Sequence, residues 1–195
     1  MTQYTSLSWS AVNDHAVISG SDNVVEKLSW NESAINVLDD FTLKAPLHVH
    51  TNTEVSQADA ILDAAGSRYA CVLDSEGELV GMLSLRDLHG RRAVQIAQQI
   101  QVPYKEVPVS YLMKAVASLP LITRKQLQDA RIGDAVATLQ KSGKDFLLVH
   151  EAGHIQGVIS SLGIAERTGE SVNVYHHASS FAEILHAVKH TEEAD

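Results

Sequence analysis

The sequence predicts a mixed α/β (α+β) fold built from two copies of one small unit, each a three-stranded sheet with flanking helices, packed about a pseudo-twofold axis. Three observations carry this. Val55, Ala58, Ile61 and Leu62 recur at helical spacing and stop at Gly66, and Ile132, Ala135, Thr138 and Leu139 repeat the pattern and stop at Gly143. Each helix is followed by an apolar run, a turn, and a second apolar run with a central glycine. One such unit of roughly 60 residues leaves a sheet face uncovered, so two copies must share a core.

The elements follow in order. Residues 1–31 form a polar N-terminal arm, mobile at its extreme, in which Trp9, Trp30 and Val24-Val25 suggest partial docking. The first unit, 32–100, begins with a lead-in around Val37-Leu38 and Pro46-Leu47 and continues through the helix from Val55. Tyr69 to Leu73 is β-prone, Asp74-Ser75-Glu76-Gly77 turns the chain, and Leu79 to Ser84 returns it, with a second helix near Ser84 to His89. Val94, Ile96, Ala97 and Ile100 make the joining segment partly helical, and Pro103 and Pro108 punctuate it. The second unit, 101–170, repeats the series: a lead-in at Leu112-Met113 and Pro120-Leu121, the helix from Ile132, strands Phe146 to Val149 and Ile155 to Ser160, and a helix near Ser161 to Thr168. In 171–195, Phe181, Ile184, Leu185 and Val188 form one helical stripe, with Ser179 or Ser180 as N-cap and an acidic tail after it.

Charge narrows the function classes. Fifteen Lys and Arg against 24 Asp and Glu give a net charge of −9, which disfavours general binding to nucleic acid or an anionic membrane surface. The single cysteine excludes an intramolecular disulfide. No cationic start with an apolar run, and no apolar stretch near about 18 residues, suggests a signal or a membrane span, so a soluble cytoplasmic protein is expected.

The helix Val55-Ser56-Gln57-Ala58, the strand and turn Ala70 to Gly77, and above all Leu79-Val80-Gly81-Met82-Leu83-Ser84-Leu85-Arg86-Asp87-Leu88 resemble a cystathionine-β-synthase (CBS) domain. His150 to Ser160 is similar and then departs, so the whole resembles a tandem pair, or Bateman module, of the stand-alone bacterial type. The resemblance implies a regulatory sensor that binds AMP, ADP, ATP or S-adenosylmethionine in a cleft between the units, forms a homodimer, and signals to a protein partner. It also implies that Ser84 faces phosphate and Asp87 clamps the ribose hydroxyls, with Arg86 adding phosphate attraction and backbone near Thr51 and Ala70 meeting adenine. A carboxylate suits a cis-diol because it accepts two hydrogen bonds at once. Ser84 and Asp87 are equally a helix start, with Ser84 as N-cap. In the second unit Ser160 matches Ser84 but Gly163 stands where Asp87 does, so that site is expected to be degenerate. A ligand-free dimerisation scaffold is the alternative.

Catalysis is not expected. The 10 histidines include pairs at His186/His190, His48/His50 and His176-His177, but zinc needs three or four converging ligands, and no His-Glu-x-x-His pattern occurs. Cys71 lies mid-strand and reads as core, and Ile159 stands where a nucleophile elbow would need glycine before Ser160-Ser161-Leu162-Gly163. Glycine-rich phosphate loops are absent. Arg86, Arg91 and Arg92 read as a local anion site.

Overall fold

The structure is a computed structural model, and it describes residues 27–174. The expected N-terminal arm up to residue 26, the helix from Phe181 to Val188, and His176, His177, His186 and His190 lie outside the described residues. Two four-stranded sheets pack face to face, with helices on their outer faces.

The first sheet has the order β2 (His48–His50), β3 (Tyr69–Leu73), β4 (Leu79–Ser84), β5 (Lys114–Ala115). The second has β1 (Asp39–Asp40), β8 (His154–Ser160), β7 (Phe146–Glu151), β6 (Leu121–Thr123). Within each, the hairpin strands are antiparallel and the strand preceding the long helix pairs in parallel. Alternation along the strands sorts the side chains into layers. Ala70, Val72 and Leu83 face α1 (Val55–Ala64), α2 (Leu85–His89) and α3 (Arg91–Ile100). Cys71 and Met82 face the other sheet and meet Phe146, Leu148 and Val158 there. The matching outer layer of the second half lies under α5 (Ile132–Ser142) and α6 (Ser161–Thr168).

The glycine stops work as expected: Gly66 follows α1 at φ +59°, and Gly143 caps α5 in the left-handed region and donates its N–H to Leu139. One helix, α4 (Arg124–Asp129), has too few residues to show a periodicity; it is set by the capping box of Thr123 with Gln126 and buries Leu127. Pro103 and Pro108 each precede a short 3-10 turn.

Each sheet gains a fourth strand beyond the three expected, and that strand comes from the other half of the sequence. Asp39 pairs with Val158, and Lys114 pairs with Met82. The lead-in segments cross over as whole pieces: Ala34, Val37 and Leu38 are buried in the second core, while Val107, Val109 and Leu112 are buried in the first. The central glycines of the hairpins exist for this crossing. A Cβ at Gly157 would stand 2.6 Å from the Asp39 carbonyl oxygen, and one at Gly81 would stand 2.6 Å from Met113 Sδ and 3.1 Å from the Lys114 carbonyl oxygen. Among the described residues no helix is long and apolar enough to cross a membrane.

Candidate functional site

The crossing lead-ins create two clefts related by the pseudo-twofold, each walled by a lead-in, the start of a central strand, and the first turn of a hairpin-following helix. Register makes the correspondence explicit. Tyr69 lies opposite Ser84 as Phe146 lies opposite Ser160, and Lys114 lies opposite Met82 as Asp39 lies opposite Val158. Lys114 and Asp39 are therefore equivalent, as are Asp145 and Arg68. The charges at these equivalent positions are opposite.

In the first cleft Ser84 is the N-cap of α2. Its Oγ accepts the Asp87 N–H at 3.3 Å, and its own N–H and hydroxyl donate to Asp87 Oδ2 at 2.9 and 2.6 Å. The other carboxylate oxygen, Oδ1, accepts from Lys114 Nζ at 2.5 Å. Lys114 Nζ also stands 3.7 Å from Asp145 Oδ2 and 5.6 Å from the centre of the Phe146 ring. Arg86 Nη1 lies 3.5 Å from Asp145 Oδ1, which also accepts from the Ser161 hydroxyl at 3.1 Å. A gap of about 10 Å³ lies beside this corner on the seam between the halves, with Ser84 and Arg86 on one side and Ser160, Ser161 and Leu162 on the other. Ser84, Arg86 and Asp87 thus come together as a capped, ion-paired corner.

The second cleft is open, with a volume of about 750 Å³. Ser160 caps α6, accepting the Gly163 N–H at 3.0 Å, and no carboxylate follows it. Arg167 reaches back across the gap, with Nη2 donating to Asp39 Oδ1 at 2.5 Å and Nη1 donating to the Val37 carbonyl oxygen at 3.1 Å. The Tyr69 hydroxyl donates to Asp39 Oδ2 at 2.7 Å, and burial together with this carboxylate raises the phenol above its ordinary range. Arg68 pairs with Glu166 at 2.7 Å on the exposed wall. Leu38, Phe41 and Leu47 give the cleft apolar surface, and Lys44 and His48 stand at its rim.

The wall strand β1 is fixed by Asp40. Its Oδ2 accepts from Arg124 Nη2 at 2.7 Å and its Oδ1 from the Thr42 hydroxyl at 2.6 Å, and these two bonds hold its carboxyl down at about 2. Thr51 and Ala70 do not line the open cleft, although Ala70 directly follows Tyr69, which does. Ala70 is fully buried in the first outer core, and Thr51 ties the chain after β2 to Leu73 and Ser110 through backbone bonds. Cys71 is buried between the sheets, which pushes its thiol up to about 12. His48 and His50 lie on an edge strand, and among the described residues no group of three His, Cys, Asp or Glu is placed to hold a metal ion.

Sequence reasoning picked out Ser84, Arg86, Asp87, Ser160 and Gly163 but missed Asp39, Arg68, Tyr69, Lys114, Asp145 and Arg167. A signal for them exists in the repeat itself, since aligning the two copies sets Asp39 against Lys114 and Arg68 against Asp145.

Residues 38–92 match the CBS domain family. Among solved structures, an uncharacterized conserved protein from Pyrococcus horikoshii is similar at 16% identity and a TM-score of 0.53, covering 75% of this chain and 98% of that one. A hemolysin-like protein containing a CBS domain, from Oenococcus oeni, is similar at 14% identity and a TM-score of 0.50, covering 72% and 93%. A conserved CBS domain protein from Thermoplasma acidophilum matches at 19% identity and 0.48, covering 81% and 79%. No curated protein matches the chain. At these identities the likeness is one of fold.

Proposed function

We propose that this chain, a tandem pair of CBS domains, is a cytoplasmic regulatory sensor that binds an adenine-containing ligand in the open cleft between its halves and passes the event to a protein partner. The observation that carries the reading is the 750 Å³ cleft, a volume in the range of small-molecule sites, with apolar walls for a base, Lys44 at its rim, and Arg68 and Arg167 able to exchange their partners Glu166 and Asp39 for an anionic group. AMP, ADP, ATP and S-adenosylmethionine are the candidate ligands. The lead-in from Leu38 to His48 lines this cleft and carries β1 of one sheet and β2 of the other, so closure on a ligand bears on both halves. A ligand shifts that equilibrium only by its difference in affinity between the two arrangements.

Thermal unfolding with each candidate ligand tests this. A ligand at a hundredfold excess over Kd adds about 2.7 kcal/mol, which moves the midpoint by several degrees in a chain of this size. Arg167→Gln should reduce the response, and Asp87→Asn should leave it intact; the reverse pattern would place the ligand on the Ser84–Arg86–Asp87 corner. No response to any of the four would sink the reading. A ligand-free homodimeric scaffold would then stand instead, favoured by one observation: both Asp87 oxygens are already engaged, by Ser84 and by Lys114. Sedimentation of the native chain tests the homodimer in either case.

A further inference from the structure

The two corners share one backbone plan and differ in the side chains they carry. In the open cleft, Asp39 is drawn onto the wall by Tyr69 and Arg167, and the first turn of α6 presents only Gly163. In the other, the equivalent residue is Lys114, whose side chain runs inward to Asp87.

We infer that Lys114 is a built-in occupant of the first cleft, its ammonium held between Asp87 and Asp145 in the place a ligand would take, so that the chain binds one adenosyl ligand and withdrawal of Lys114 would expose a second site. Lys114, Asp87 and Asp145 have side chains only 12%, 11% and 8% exposed, so the contact is an interior one and not a passing surface pair. Its geometry is that of a bound cation: Asp87 Oδ1 at 2.5 Å, a second carboxylate oxygen at 3.7 Å, and an aromatic face at 5.6 Å. The backbone delivering it is pinned. β5 pairs with β4 at Gly81 and Met82, and Met113 packs over Gly81, so the side chain of Lys114 is aimed by the sheet edge. Asp87 keeps its clamp-like posture throughout, its Oδ2 on Ser84 and its Oδ1 turned toward the cleft. Lys114 is thus a specificity-determining residue that selects which of two equivalent clefts is available.

This inference rests on the reading that clefts of this chain take adenosyl ligands, and the experiment separates the two. Titration calorimetry with AMP on the native chain, Lys114→Ala and Lys114→Ala/Asp87→Asn is expected to count one, two and one sites per chain, with the affinity of the new site at least about tenfold above any binding at that corner in the native chain. A folded Lys114→Ala with no gain over the native count overturns the inference whatever that count is. A native count of zero sinks the open-cleft reading alone, provided that Lys114→Ala gains a site that Asp87→Asn removes. If Lys114→Ala fails to fold, Lys114→Ser, which keeps a strand-compatible residue too short to reach Asp87, takes its place in the titration. A readout without ligand runs in parallel: amine acylation followed by mass spectrometry should label Lys114 at least about tenfold more slowly than rim residue Lys44, with protection lost in Asp87→Asn. Equal labelling of Lys114 and Lys44 in the native chain overturns the inference as well.

Discussion

Asp40→Asn is the substitution whose effect the structure defines most fully. Asp40 ends the two-residue strand β1, and its carboxylate, 9% exposed, ties that strand to Arg124 on α4 and to the backbone and hydroxyl of Thr42. Its carboxyl titrates at about 2 in the folded chain against an ordinary value of 3.8. That difference corresponds to about 2 kcal/mol of folding stability at neutral pH. The sign follows from the direction of the shift. Because the folded value is the lower one, the stabilisation is complete above the unfolded value and disappears as pH falls through about 4 toward about 2. Asparagine keeps an acceptor for Thr42 and gives up the charge facing Arg124. Urea unfolding of both proteins between pH 7 and pH 2 should therefore show a gap of about 2 kcal/mol at neutral pH that closes at the acid end, with a midpoint difference of about 4–8 °C in heat. Parallel stability curves across that range, or a gap that persists at the acid end, would refute the assignment of this stabilisation to the Asp40 charge.

Three further outcomes are expected. Gly157→Ala should cost about 1–3 kcal/mol, because its Cβ meets the backbone oxygen of Asp39 at 2.6 Å, whereas Gly133→Ala, whose nearest contact is at 3.5 Å, should be neutral or stabilising by a few tenths of a kcal/mol; denaturant midpoints check both. Gly163→Asp places a carboxylate at the start of α6, where its Cβ meets Ser160 Oγ at 2.9 Å and the flexible end of Arg167 at 3.1 Å. Arg167 yields, and calorimetry should show AMP binding in the open cleft tightened by about tenfold, the worth of a charge-assisted bond to a ribose hydroxyl. Cys71, with its thiol pushed up to about 12, should react with a disulfide reagent at pH 8 about a thousandfold more slowly in the folded chain than in urea.

Much of this architecture is legible in the sequence because it is local. The stripe Val55, Ala58, Leu62 and its partner Ile132, Ala135, Leu139 announce helices through a period set by backbone geometry, and Gly66 and Gly143 end them because the left-handed turn there favours glycine. The hairpins announce themselves in the same way, and the Ser84-to-Asp87 cap is readable from two residues and their spacing.

The unit is written locally along the chain: its helices, its hairpin, its central glycine and its duplication all follow from short-range periodicity and conformational preference. How the two units share their parts depends on contacts between residues far apart in the chain. Strands of two residues carry no period, so nothing in Asp39-Asp40 or Lys114-Ala115 says that each pairs with the far sheet; that goes with the core the neighbouring apolar residues enter, Val37 and Leu38 the second and Val109 and Leu112 the first. The site was decided the same way. Lys114 and Asp87, or Asp39 and Arg167, are unremarkable charges along the chain, and only the crossing brings them within hydrogen-bonding distance, one pair buried in its corner and the other on the wall of an open cleft.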